Sequence, residues 1–143
     1  MALSAARILG FKGPQDEVDL LFADSDTYYL GGLYIVDANG KAAVPSDTAD
    51  LIPIGIFTGK SDDGDSVEDK VIGASNAVKG VFQRGLVWLP FTGAAQSDVG
   101  EIFYISADDT LTQTAGSKTV GLRALGFKTG YLLFDLRYYD RIA

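Results

Sequence analysis

The stretch that decides the fold lies near the end of the chain, where residues 131–138 read YLLFDLRY. Every second residue from Leu132 to Tyr138 is apolar. Asp135 and Arg137, which lie between the last of these, are charged. Alternation with a period of two is typical of a strand with one buried face. The stretch therefore predicts a β-strand whose apolar side, Tyr138 included, faces a core.

Further apolar runs have the length and composition of strands, and glycine-containing turns separate them. Glycine supplies 17 of the 143 residues, about twice its usual share of roughly 7%. The runs are residues 29–36, 53–58, 81–89, 102–105 and 119–127. They predict an all-β fold, a small β-barrel or sandwich of β-tulip type with an extended N-terminal arm and at most short helical turns.

Local signals mark one turn and two short helical candidates. Asn39-Gly40 lies between apolar stretches, and this dipeptide favours the positive φ angles of a type I′ hairpin. Short helical turns are predicted only near residues 46–51 and within the first dozen residues.

The run at residues 29–36 has no polar alternates. Such a strand is either covered on both faces within the chain or packed against another subunit, and the sequence leaves both alternatives open. If the second holds, the subunit contact is predicted at Tyr29, Leu30, Leu33, Tyr34 and Ile35.

The length predicts one domain, and charge divides the chain. Residues 1–14 contain Arg7 and Lys12 and no acid. The whole chain has 12 basic and 19 acidic residues, a net charge of −7, so the remainder carries −9. Gly13-Pro14 then marks a break. We expect residues 1–28 to form an N-terminal arm and lead-in, and residues 29–143 to form a single β domain.

Composition disfavours several function classes. The chain has no cysteine and no histidine, so it lacks a thiolate nucleophile, a Ser-His-Asp triad and the usual zinc ligands. The net charge of −7 disfavours binding to nucleic acid or to anionic membranes. No stretch reads as a membrane span or a signal peptide. We expect no enzyme activity, no cofactor, no metal, no nucleic-acid partner and no membrane association.

Two motifs suggest ligands but fit poorly. Residues 55–61 read GIFTGKS, which has three residues between its glycines where a phosphate-binding loop needs four; a strand that ends in a loop is the better prediction. Residues 61–69 carry five carboxylates but lack the spacing of a calcium-binding EF-hand. A solvated acidic loop is predicted there, and calcium binding between Asp62 and Asp69 stays open.

Two other function classes remain as alternatives. A small hydrolase could use paired carboxylates, although Glu17, Glu68 and Glu101 are the only glutamates. A carbohydrate-binding β module could use exposed aromatic residues such as Trp88 or Tyr139.

The second half of the chain resembles a known family in the order of its motifs. The motifs are GVF at residues 80–82, LVWLP at 86–90, VGEIFYI at 99–105, LT at 111–112, VGL at 120–122 and LLFDL at 132–136. This order is similar to that of the small β-barrel capsid decoration, or cement, proteins of tailed bacteriophages. The resemblance covers about residues 53–137, and Arg123 stands where a small residue would be usual.

The resemblance implies a non-enzymatic structural protein of the virion. Such a protein is made in the host cytoplasm, binds the outer surface of the expanded head, and bridges major capsid subunits as a homotrimer. By charge and position, we expect capsid contacts from Ile8, Leu9 and Phe11 as apolar anchors and from Arg7 and Lys12 toward acidic groups. The alternatives are a carbohydrate-binding module and another virion component such as the base of a head fibre.

Overall fold

A computed structural model describes residues 3–46, 51–61, 66–73 and 78–141. Within these ranges the chain forms thirteen β-strands and one 3-10 helix, Gln96–Asp98. The strands are β1 (Phe11–Leu21), β2 (Thr27–Tyr29), β3 (Leu33–Val36), β4 (Ala42–Ala43), β5 (Ile52–Ser61), β6 (Lys70–Ile72), β7 (Lys79–Pro90), β8 (Ile102–Ala107), β9 (Thr110–Thr112), β10 (Val120–Arg123), β11 (Gly126–Lys128), β12 (Tyr131–Asp135) and β13 (Asp140–Arg141). The described residues include no helix long and apolar enough to span a membrane.

The strands form two main antiparallel sheets and a small ribbon. The larger sheet has seven strands in the order β11-β12-β7-β5-β3-β4, with β1 beside β7. The second sheet has the order β13-β10-β8-β9, and β2 pairs with β6. The prediction of an all-β fold is confirmed. The arrangement is sandwich-like, and the pairing among the described strands does not close into a barrel.

Two hydrophobic cores hold the sheets together. The larger core joins Val87 and Phe134 of the seven-stranded sheet to Phe103 and Leu122 of the four-stranded sheet. The second core is a cluster of aromatic rings, all of them fully or almost fully buried: Phe22, Tyr28, Tyr34, Phe57 and Phe82. Most of its close ring pairs meet edge to face or tilted, the arrangements that aromatic quadrupoles favour.

Strand β3 contacts both cores, as β5 and β7 also do. Leu33 and Ile35 point into the larger core, whereas Tyr34 points into the aromatic cluster. These three side chains are 2%, 5% and 0% exposed. The sequence left two explanations for the absence of polar alternates in this run, cover on both faces or contact with another subunit. For β3 the first explanation holds, because its own chain covers both faces. The prediction that Leu33, Tyr34 and Ile35 form a subunit contact is corrected, because their own chain buries them.

The N-terminal residues differ from the expected extended arm. Strand β1 pairs with β7 from Phe11 opposite Val87 to Leu21 opposite Lys79, so this part of residues 1–28 is integral to the larger sheet. The break expected at Gly13-Pro14 is a register shift, which lies between Lys12 and Gln15. Such bulges interrupt pairing locally and leave the strand in place.

Turns account for the other local differences. The hairpin at Asn39-Gly40 is confirmed by the pairing of β3 with β4. The Gly40 N–H donates to the Asp37 carbonyl, and the Asp37 N–H donates to the Lys41 carbonyl, so three residues separate the paired Asp37 and Lys41 where a type I′ hairpin has two. The alternation at residues 131–138 holds through Leu136, but Tyr138 is 70% exposed because β12 ends at Asp135. That part of the prediction was wrong.

The remaining local predictions have mixed outcomes. Residues 55–61 belong to β5, as the preferred prediction of a strand requires. No helix occurs in residues 3–12. Most of the helical candidate at residues 46–51 and the centre of the acidic stretch, residues 62–65, lie outside the described residues.

Candidate functional site

The N-terminal segment before β1 is fixed to the body of the protein by Arg7. The backbone N–H of Arg7 donates to the Leu30 carbonyl at 2.9 Å. Its side chain donates from Nε to the Gly31 carbonyl at 2.7 Å and from Nη2 to the Asp108 carbonyl at 3.1 Å. A guanidinium can hold several acceptors in one fixed geometry, so this single side chain joins the segment to two distant loops.

Asp108 completes the attachment from the other side. Its side chain is buried, accepts the backbone N–H of Leu3 at Oδ1 (2.7 Å), and accepts the hydroxyl of Tyr34 at Oδ2 (3.2 Å). Burial raises the pKa of Asp108, while the hydrogen bonds from Leu3 and Tyr34 and the charge of Arg7 lower it. For Arg7, burial disfavours the charged guanidinium and therefore lowers the pKa. The two charges offset part of each other's desolvation cost.

The fixed segment displays one apolar side chain to solvent. Successive residues of an extended chain point to opposite sides. Leu9 and Phe11 pack against the larger core, and Arg7 also turns inward. Ile8, between two inward-facing residues, is 92% exposed. The fixed segment therefore holds this aliphatic side chain in water, where it is available for contact with another molecule.

Strand register places aromatic side chains on the same face as Ile8. The N–H of Trp88 donates to the Gly10 carbonyl, which continues the β1–β7 pairing by one residue. Residues opposite each other in an antiparallel pair share a face. Gly10 therefore lies beside Trp88, whose Cδ1 would be 3.7 Å from a Cβ at Gly10. Ile8 and Lys12 share that face by alternation.

Lys128 links this face to strand β12. Its Nζ atom lies 4.7 Å from the centroid of the Trp88 ring and 5.0 Å from that of Tyr131. Both distances are within the range of a cation–π interaction. We name this surface the outer patch and define it by Ile8, Lys12, Trp88, Lys128 and Tyr131. Trp and Tyr are enriched among the residues that contribute most to binding at protein interfaces, so Trp88 and Tyr131 are candidates for protein recognition.

The structure divides the sequence-predicted contact residues. Ile8 and Lys12 face solvent, as a contact requires. Arg7, Leu9 and Phe11 are half-buried against their own chain; each keeps part of its surface exposed, and their contact with a capsid stays a prediction. The predicted subunit contact also includes Tyr29 and Leu30, which precede β3 and are half-buried. The Tyr29 N–H donates to the Tyr34 hydroxyl, and the Leu30 N–H donates to the Asp69 carbonyl.

Sequence reasoning did not assign Trp88, Lys128 and Tyr131 to this surface. One signal was present, because Trp88 alternates with the core residues Val87 and Leu89 and must face away from them. Trp88 is half-buried, since Lys128 covers its ring.

Across residues 3–46, 51–61, 66–73 and 78–141, no cluster of three or more acidic, histidine or cysteine side chains is placed to hold a metal ion. Calcium binding between Asp62 and Asp69 depends largely on residues outside these ranges and stays untested.

Comparison of the chain with protein-family models, with curated proteins and with solved structures found no match.

Proposed function

We propose that this protein is a structural, non-enzymatic component of a tailed-bacteriophage head. It binds the outer surface of the expanded capsid and stabilises it by bridging major capsid subunits. The order of the strand motifs between residues 53 and 137 supports this proposal by its resemblance to capsid decoration proteins. In the structure, the display of Ile8 at 92% exposure by a fixed segment is the single observation that carries it.

The outer patch has the properties that a rigid adhesive surface needs. Its apolar side chains lie on a β-sheet and on a segment fixed by hydrogen bonds, so little conformational entropy is lost when a partner binds. This mode differs from a free arm that becomes ordered only on docking.

Charge defines the chemistry of the partner surface. The outer patch carries Lys12 and Lys128, whereas the whole chain has a net charge of −7. A capsid surface with an apolar pocket and acidic groups is complementary to this patch. Electrostatic complementarity of this kind mainly increases the association rate and selects the orientation of binding.

The proposed assembly is a homotrimer, as the resemblance to decoration proteins implies. Leu33, Tyr34 and Ile35 are inside the monomer, so the contact between subunits has to use other residues. Tyr29 and Leu30 stay as candidates, since both keep part of their surface exposed.

The test is co-sedimentation with expanded heads that lack the decoration protein, prepared from the phage that encodes this chain. We expect the wild-type protein to sediment with the heads and Ile8→Asp to remain in the supernatant, because a buried, unpaired carboxylate is strongly unfavourable at an interface. Ile72→Asp is the matched control. Ile72 is also an exposed isoleucine, at 66%, but it lies on the β2–β6 ribbon.

Point substitutions are preferable to deletion of residues 1–14, since a deletion would remove the start of β1. Both variants should melt like the wild type. Equal sedimentation of Ile8→Asp and wild type would contradict a role for the outer patch, and no sedimentation of the wild type would contradict the proposed function itself.

A further inference from the structure

A second surface, remote in sequence from the N-terminal segment, forms an open groove of about 390 Å³. This volume falls in the range of roughly 300–1,000 Å³ that is typical of small-molecule sites. We name it the tyrosine groove. Its lining residues are Arg123, Leu125, Asp135, Tyr138, Tyr139 and Asp140.

The two tyrosines are the most exposed large rings in the described part of the chain. Tyr138 is 70% exposed and Tyr139 is 41% exposed. Leu125 adds an apolar surface at 49% exposure. Exposed phenol rings offer a flat apolar face and a polar edge at a low cost in conformational entropy. This combination suits a ligand that has both C–H faces and hydroxyl groups.

A rigid turn holds the tyrosines in position. The Asp135 carboxylate accepts the backbone N–H of Arg137 at 3.0 Å, and the Asp135 carbonyl accepts the N–H of Tyr138 at 3.2 Å. Leu136 is buried, and its N–H donates to the Gly85 carbonyl. The guanidinium of Arg137 also lies 5.8 Å from the centroid of the Tyr138 ring. The rings are thus presented by a turn that is fastened to strand β7.

Two charged side chains, Arg123 and Asp140, also line the groove. Arg123 donates from Nη1 to the Gly100 carbonyl at 2.6 Å and from Nε to Asp140 at 3.1 Å. These bonds fix the guanidinium and the carboxylate relative to each other. Asp140 contacts the Arg123 guanidinium through Oδ2. Its other carboxylate oxygen, Oδ1, faces no donor within this ion pair.

Each charged residue that lines the groove has an ionic partner, either within the lining or, for Asp135, in the neighbouring Arg137. Arg123 forms an ion pair with Asp140 at 3.0 Å, and Arg137 forms one with Asp135 at 2.8 Å. Hydrogen bonds from Arg137 lower the pKa of Asp135, so that pair stays ionised at neutral pH. The two pairs sum to zero charge. Such a groove attracts neither anions nor cations strongly, but it offers planar hydrogen-bonding groups beside aromatic rings.

We propose that the tyrosine groove binds a neutral saccharide, with a pyranose ring stacked on Tyr138 or Tyr139 and its hydroxyl groups bonded to Arg123 and Asp140. The juxtaposition of two exposed rings with two self-neutralised ion pairs carries this proposal. It is independent of capsid binding, because the groove shares no residue with the outer patch.

The test applies the purified full-length protein to an array of neutral oligosaccharides of glucose, galactose, mannose and N-acetylglucosamine. Sialylated and sulfated glycans serve as charged comparisons. We expect binding to at least one neutral saccharide. The variant that removes the stacked ring, Tyr138→Ala or Tyr139→Ala, should weaken that binding about tenfold, the loss expected from removing an aromatic contact. Ile72→Ala, an exposed residue outside the groove, is the matched control and should bind like the wild type.

A second measurement needs no variant. In NMR titrations with the saccharide that binds, the ring protons of Tyr138 and Tyr139 should shift, whereas those of the buried Tyr34 should not. The proposal is overturned if no neutral saccharide binds, if only charged glycans bind, or if both tyrosine variants bind as the wild type does. It is also overturned if light scattering shows that the groove joins two copies of this chain and that Tyr138→Ala separates them.

Discussion

The Nε atom of Arg7 lies 2.7 Å from the carbonyl oxygen of Gly31. The two residues approach so closely that a Cβ at position 31 would collide with the Arg7 carbonyl, and the φ angle of Gly31 is +86°. Position 31 therefore requires glycine twice, once for space and once for backbone conformation. The N-terminal segment can lie against the body only because this side chain is absent.

The first prediction is that Gly31→Ala releases the N-terminal segment. Trypsin cleaves after arginine, and the docked side chain of Arg7 protects that bond in the native protein. We expect cleavage after Arg7 to accelerate in the variant at temperatures well below its melting point. Mass spectrometry of the digest measures the effect.

Gly93→Ala is the matched control for that experiment. Gly93 has a similar φ angle of +80°, but a Cβ there would meet no atom within 4 Å. Both variants bear a backbone strain of about 1–2 kcal/mol, and only Gly31→Ala obstructs the segment. Equal cleavage after Arg7 in the two variants would argue against the docked arrangement.

The second prediction concerns the hydroxyl group of Tyr34. It accepts the backbone N–H of Tyr29 at 2.7 Å and donates to the buried carboxylate of Asp108 at 3.2 Å. Tyr34→Phe leaves both partners unsatisfied, which should lower the free energy of unfolding by about 1–3 kcal/mol. Urea denaturation measures this change. Tyr131→Phe, which alters an exposed ring, should change it by less than about 0.5 kcal/mol.

The third prediction is a pH dependence that originates at Asp108. Burial is the main cause that raises its pKa in the folded protein above the ordinary value of about 3.9. The folded state then holds this proton more tightly than the unfolded state does. The contribution of Asp108 to stability is therefore greatest below the ordinary pKa and declines as the pH rises through the folded pKa.

Asp108→Asn removes that dependence and keeps one acceptor oxygen for the Leu3 N–H, while its amide nitrogen can donate to the Tyr34 hydroxyl. The stability of the variant relative to wild type should increase between about pH 4 and pH 7, as measured by urea denaturation at several pH values. A relative stability that falls over this range would mean that attraction to Arg7 outweighs the cost of burial.

The fourth prediction concerns the outer patch. Trp88→Ala should leave the protein folded, because the ring faces away from the larger core, and should weaken binding to expanded heads by about tenfold or more, as for an interface hot spot. Lys128→Glu should act mainly on the association rate and on its dependence on salt. Surface plasmon resonance with immobilised heads separates the two effects, and unchanged kinetics in both variants would contradict the assignment.

Much of the fold could be predicted because strand signals are local. The runs at residues 53–58, 81–89 and 102–105 each became part of a strand, since alternation and β-branched or aromatic content act over a few residues. The division of residues 29–36 between two cores could not be predicted. It depends on which elements cover each face of β3, and those elements come from distant parts of the chain.

The candidate site was harder to predict for the same reason. The sequence assigned Arg7 to a partner contact because of its positive charge and its position near the N-terminus. Its side chain instead donates to the carbonyls of Gly31 and Asp108, which lie 24 and 101 positions away in the sequence. Ile8 is exposed only because its neighbours are anchored, and this follows from the tertiary contacts of Arg7 and Leu9.

The most direct test of the central claim is a cryo-EM map of expanded heads incubated with the wild-type protein. Our account predicts added density on the outer surface at three-fold or quasi-three-fold positions, with Ile8 and Trp88 against the major capsid protein. It also predicts bare heads after incubation with Ile8→Asp. A map without added density, or with density oriented so that the outer patch faces solvent, would contradict the account.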